Sequence, residues 1–197
     1  MRILIKVGVL LIVSMLWGSC KTSQVNNTEL LSGSKVEQLL QNRNLEMQMQ
    51  WANPLNTVAI NAILNSGLLP PGQTGNQISL IGNGNYFRIK GDTIAAYLPF
   101  YGERRFGGAY GRDAQIEFED IPKNLEITRN EKKGYFDLKF EIRDKNHSTD
   151  NYQVSAQLYP GNKGVVTINS SSRTVISYSG TIQPLAKEEV VSVEGKE

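Results

Sequence analysis

The sequence predicts a mainly β fold with minor α content: an antiparallel β-sandwich or open barrel carrying one short N-terminal helix. Three observations lead there. Segments such as Phe136-Asp-Leu-Lys-Phe-Glu-Ile142 and Tyr152-Gln-Val-Ser-Ala-Gln-Leu158 alternate apolar and polar residues without a break, the pattern of strands with one face in water. Turn signals built on Gly, Asn, Asp and Pro recur at short intervals between them. Only the stretch after Ser34 joins a capping signal to helical spacing.

Taken in order, residues 1–19 come first. Arg2 and Lys6 precede an apolar run from Val7 to Trp17, and Gly18 and Ser19 lead to Cys20, the only cysteine. Charge, apolar core and small residues before a processing point make a secretory signal peptide. The run is about half of the ~20 residues a membrane-spanning helix needs. Residues 20–33 read as Cys20 followed by a polar tether. The chain has 21 basic and 19 acidic residues; loss of residues 1–19 removes Arg2 and Lys6 and leaves 19 of each. A neutral mature chain gives no electrostatic reason to expect nucleic acid as a partner. With a single cysteine there is no internal disulfide, and the core must hold the fold alone.

Residues 34–184 form one domain of ordinary size. Ser34 and Glu37 have capping-box spacing, and Val36, Leu39, Leu40 and Arg43 follow at helical intervals. From Asn44 to Trp51 the chain alternates, with Leu45, Met47, Met49 and Trp51 assigned to one face; Asn53-Pro54 ends the strand. Residues 55–76 are either a helix or an irregular connection. Short strands then succeed one another: QISLI, YFRIK, TIAAYLP, AQIEFED, NLEITRN, GYFDLKFEIRD, NYQVSAQLYP, KGVVTINS and RTVISYSGTI. Residues 185–197 are a charged tail without period.

The stretch Tyr97–Gly111, YLPFYGERRFGGAYG, supports two readings. In one it is a corner: Pro99 has no N–H for the ladder, Phe100 and Tyr101 cover an end of the core, and the glycines let the chain turn. In the other it is a ligand site, in which Tyr97, Tyr101 and Tyr110 offer flat faces and Arg104, Arg105 and Arg112 offer forks to a carboxylate or phosphate. Chemistry elsewhere is sparse. His147, the only histidine, lies in a polar run and lacks companions for a zinc site. Glu117 and Glu119 share a strand face opposite Ile116 and Phe118, as solvated residues do, and Gly82-Asn83-Gly84 reads as a hairpin turn, with no phosphate-loop continuation. Nothing implies a catalytic residue, a cofactor or a metal.

The single cysteine after Gly18-Ser19 resembles the lipobox of bacterial lipoproteins, although Trp17 stands where an aliphatic residue is usual. That resemblance implies cleavage before Cys20 and lipidation of its sulfur, hence a membrane anchor. YLPFYG after the GDTIAA strand, GYFDLKFEI, and Ser171-Ser-Arg-Thr-Val-Ile-Ser-Tyr-Ser-Gly180 together resemble lipoproteins of Bacteroidetes that carry a domain of unknown function (DUF4251-like). The likeness implies a cell-envelope location and one β-rich domain, and implies no activity. Members of that group exported to the outer face often carry acidic residues soon after the cysteine; Lys21-Thr22-Ser23-Gln24 has none, so the resemblance implies an outer-membrane anchor facing the periplasm. The functional expectation is a non-enzymatic binding or structural module that takes a small molecule or protein at the 97–112 loop. The alternative is a periplasmic carrier of lipids or lipoproteins with an apolar cavity lined by Met47, Met49, Trp51, Phe136 and Phe140.

Overall fold

A computed structural model describes residues 31–57, 61, 62, 66, 77–105, 115–147 and 149–186. Among the described residues the ordered elements are α1 (Lys35–Gln41), β1 (Asn44–Pro54), β2 (Ile78–Ser79), β3 (Tyr86–Lys90), β4 (Thr93–Pro99), β5 (Gln115–Asp120), β6 (Lys123–Asn130), β7 (Tyr135–Arg143), β8 (Asn151–Tyr159), β9 (Lys163–Ser170) and β10 (Ile176–Gln183). Nine strands form a single antiparallel path in the order β5-β4-β3-β1-β10-β9-β8-β7-β6, with β2 paired to β1 beside it. Of sandwich and open barrel, the structure is the latter: one sheet, curled into a half-barrel.

The curl follows from chain reach. β5 and β6 stand at opposite ends of the strand order, yet only Ile121 and Pro122 separate them. Three residue steps span at most about 11 Å, so the two edges are forced together at that corner. The seam is held there by the Lys145 N–H, which donates to the Glu117 carbonyl at 2.7 Å, and by the Lys145 ammonium, 2.9 Å from the Glu119 carboxylate. Inside, rings from the two halves meet. Phe87 of β3 lies 6.3 Å from Phe140 of β7, and Phe118 of β5 lies 6.4 Å from Phe140 and 6.1 Å from Tyr152 of β8. Each inward ring removes apolar surface from water at roughly 25 cal/mol per Å2.

The alternation seen in the sequence fixes which residues fill this core. Leu138, Phe140, Ile142, Tyr152, Val154, Ala156 and Leu158 are all buried. Helix α1 closes one end with Val36, Leu39 and Leu40. Its Ser34 Oγ accepts the Glu37 N–H at 3.2 Å, while the Glu37 carboxylate reaches past Ser34 to the Gly33 N–H at 2.6 Å. Arg43 lies outside the helix with φ 47° and pairs with Asp92. The packing already includes Leu31, which is fully buried, and Ser32, whose hydroxyl accepts from Arg129 at 2.8 Å.

One assignment in β1 is overturned. Leu45, Met47 and Met49 point inward, but a register shift between Met49 and Trp51 places two residues of β1 opposite one of β10. Beyond it Ala52 takes the buried position against Tyr178, and Trp51 turns to the outer face against Ser179. A bulge re-aims the side chain that a strict period of two would have buried. Residues 55–76 lie mostly outside the described residues.

Candidate functional site

The one concentrated polar cluster among the described core residues lies where β4 runs out and the β9–β10 connection passes beneath it. β4 ends at Pro99, whose carbonyl accepts the Tyr178 hydroxyl at 2.8 Å. Phe100 and Tyr101 then pack against the core. Gly102 is required by space: a Cβ there would lie 2.4 Å from Thr174 Oγ1 and 2.7 Å from the Phe100 ring. Past it, residues 103–105 dock on residues 172–174. The Glu103 N–H donates to Thr174 Oγ1 at 3.1 Å, the Thr174 N–H to the Glu103 carbonyl at 3.0 Å, and the Arg105 N–H to the Ser172 carbonyl at 2.7 Å.

This bridge sets Arg104 opposite Arg173, and a carboxylate resolves the repulsion. Asp150 Oδ2 lies 3.0 Å from Arg104 Nη2 and 3.4 Å from Arg173 Nη2, and Oδ1 accepts the Ser172 hydroxyl at 3.0 Å. Arg173, 1% exposed, also donates to the Gln115 carbonyl at 2.9 Å and lies 5.1 Å over the Phe100 ring. A second buried acid, Asp144, orders the loop beside it. Its Oδ1 accepts the N–H groups of Asn146 and His147 at 2.8 Å each, and Oδ2 accepts the Tyr152 hydroxyl at 2.7 Å. His147 Nδ1 is 3.3 Å from Asp144 Oδ1. Two guanidiniums and two carboxylates therefore stand in balance at one end of the barrel, and buried charges persist when so paired and bonded.

The two sequence markers, YLPFYG and SSRTVISYSG, are thus the two halves of one clasp. A family model matches residues 31–182. The chain belongs to the DUF4251 family, domains of unknown function. No curated protein matches it.

In the DUF4251 domain, the described members of the group that the sequence suggested as a site, Tyr97, Tyr101, Arg104 and Arg105, take different environments. Tyr97 lies on the outer face, its ring 6.4 Å from Tyr86 and its hydroxyl accepting from Gln115. Tyr101 is half-buried against the core, and burial pushes its phenol upward. Arg104 turns inward to Asp150, whereas Arg105 is exposed. Tyr110, Arg112 and Cys20 lie outside the described residues. Asp150, Ser172 and Arg173 were not singled out as interacting groups. The available signal was an arginine beside the apolar alternation of β10, but nothing local names a partner 23 residues away.

Burial raises the phenol of Tyr152 far above its ordinary value, with the Asp144 hydrogen bond adding to it, and raises Tyr178 similarly. A raised folded-state value means that the native state holds protons the unfolded chain has released. Stability is therefore full below about pH 10, the unfolded phenol value, and falls as pH climbs above it. Urea midpoints are expected to drop between pH 9 and 11, and the slope to flatten in Tyr152→Phe and Tyr178→Phe. An identical slope in the variants would reject the assignment.

Proposed function

We propose that the DUF4251 domain is a lipid-anchored, non-enzymatic binding module of the cell envelope, held on the periplasmic face of the outer membrane through Cys20. The observation that carries this reading is that the interior and its polar end are already occupied by the chain's own groups. Met47, Met49, Phe136 and Phe140, which would line a carrier's cavity, belong to the continuous core, and Trp51 has left it. The carboxylates that would serve an acid–base reaction, Glu117 and Glu119, are tied to Lys145. What such a rigid, filled barrel offers to a partner is its outer surface, as sheet scaffolds commonly do. Lipidation would supply the second requirement, since two or more acyl chains hold a protein stably on a bilayer.

The test is Cys20→Ala. The native chain is expected to incorporate an alkyne fatty acid and sediment with membranes, and the variant to do neither. A native chain that stays unlabelled and aqueous would overturn the anchor. Native mass spectra of the variant should show the bare polypeptide; a stoichiometric phospholipid would restore the carrier alternative.

A further inference from the structure

The outer face of the sheet is not uniform. Toward its edges charged outward residues are frequent: Glu46 on β1, Arg88 and Lys90 on β3, Glu117 and Glu119 on β5, and Asp137 to Arg143 at alternate positions of β7, with only β4 between β3 and β5 uncharged. In the middle they are not. Every second residue from Asn151 to Tyr159 on β8, from Lys163 to Asn169 on β9 and from Ser177 to Gln183 on β10 faces outward, and Lys163 is the only charged residue among them. The rest are hydroxyl and amide side chains, apart from Val165, and Tyr159 ends the series on β8. Threonine suits any strand, so composition alone does not mark a site.

Trp51 does. The β1 bulge turns it out of the core onto this neutral band, in register with Ser179, which itself pairs with Val165 on β9. Trp51, Gln50 and Tyr159 line one groove of about 510 Å3, floored by Gly164, Val165 and Ser179, with the exposed Lys163 at its edge. Both rings are half-buried, so each is held by its neighbours with part of its surface open. Three strand spacings separate β1 from β8, roughly 14 Å, the span of two or three sugar rings. Farther along β8 and β9 a second groove of about 400 Å3 passes Gln153, Ser155, Thr167 and Asn169 and is bounded on the β6–β7 side by Glu126, Lys139 and Glu141.

We infer that this band is a binding surface for a neutral glycan, resting on the binding-module reading above. An indole face accepts the apolar C–H face of a pyranose, and hydroxyls and amides both donate and accept, as a polyhydroxylated ligand requires. Lys163, the one charged residue of the band, is exposed at the groove's edge, where its ammonium keeps its water and need not be desolvated against an uncharged ligand. The scarcity of charge on β8, β9 and β10, where Lys163 is the one charged outward residue, suits an uncharged polymer.

Trp17 and Trp51 are the only tryptophans, so the full chain carrying Trp17→Phe reports on this groove by its own fluorescence. Held in an amine-oxide detergent, which brings no sugar headgroup, it would be titrated with dextran, mannan and xylan, and with heparin as the charged control. At least one neutral polymer should shift the Trp51 emission and retard the protein in an affinity gel, with binding unchanged by added salt. Retardation should weaken at least tenfold in Trp51→Ala. It should weaken equally in Ser179→Asp, which removes no core group, with circular dichroism confirming both folds. No response to any neutral polymer, or binding that survives both substitutions, overturns the glycan surface. If Cys20-dependent anchorage and the absence of bound lipid stand while every polymer fails, the ligand assignment alone is lost. If anchorage fails, the module reading goes with it.

Discussion

Replacing Asp150 with alanine is expected to lower the unfolding free energy by about 3–5 kcal/mol, the cost of breaking a buried ion pair by removing one partner. Asp150 is 3% exposed, and it is the carboxylate shared by Arg104, Arg173 and the Ser172 hydroxyl. Without it, two guanidiniums brought side by side by the 104–173 bridge face each other across a medium that screens poorly. Against a typical domain stability of about 5–15 kcal/mol, the loss is a large fraction of the whole. Asp150→Asn keeps an acceptor and should lose less. The decisive comparison is Arg173→Met in the Asp150→Ala background, which removes the stranded charge and should recover part of the stability. Urea unfolding of the four proteins measures this; a loss below 1 kcal/mol for Asp150→Ala would mean that the clasp is peripheral.

That clasp also marks where the sequence stops being readable. The strands were legible because their packing is written at a spacing of two, and α1 because Ser34, Glu37 and the apolar spacing sit within one short segment. Single curled sheet versus sandwich was not legible, since each shows the same alternation. What decides it is that β5 and β6, neighbours in sequence, end at opposite edges of the sheet. The different placement of the two arginines was hidden for a related reason. Arg104 and Arg105 look alike in sequence, but adjacent residues of an extended chain point opposite ways, and the bridge to residues 172–174 sends one to Asp150 and leaves the other in water. Trp51 failed on a bulge, a one-residue insertion that period-two reading cannot register. Both features, the arginines at the clasp and Trp51 at the outer groove, lie where local pattern yields to long-range contact.

Gly180→Ala should be the more damaging of two matched substitutions on the inner face of the sheet. Gly180 of β10 pairs with Gly164 of β9 on one side and Met49 of β1 on the other. A Cβ at Gly180 would lie 2.1 Å from the Gln48 carbonyl oxygen and 3.0 Å from the Met49 Cα. Those are backbone atoms of the neighbouring strand, so no rotamer relieves the clash. The β1–β10 ladder that joins the two halves of the barrel must part. A Cβ at Gly164 would instead meet the Met47 Sδ at 2.5 Å and Leu158 Cδ2 at 3.1 Å, the ends of flexible side chains. Where room exists, glycine to alanine stabilises by about 0.4–1 kcal/mol through the unfolded chain, so the native clash alone sets the sign. Overpacking typically costs about 1–3 kcal/mol; Gly164→Ala is expected near the lower bound and Gly180→Ala at or above the upper one. Because the obstruction sits beside the bulge that turns Trp51 outward, Gly180→Ala should also red-shift the Trp51 emission in the Trp17→Phe background, and Gly164→Ala should not. Equal destabilisation by the two alanines would refute a backbone clash as the reason for glycine at 180.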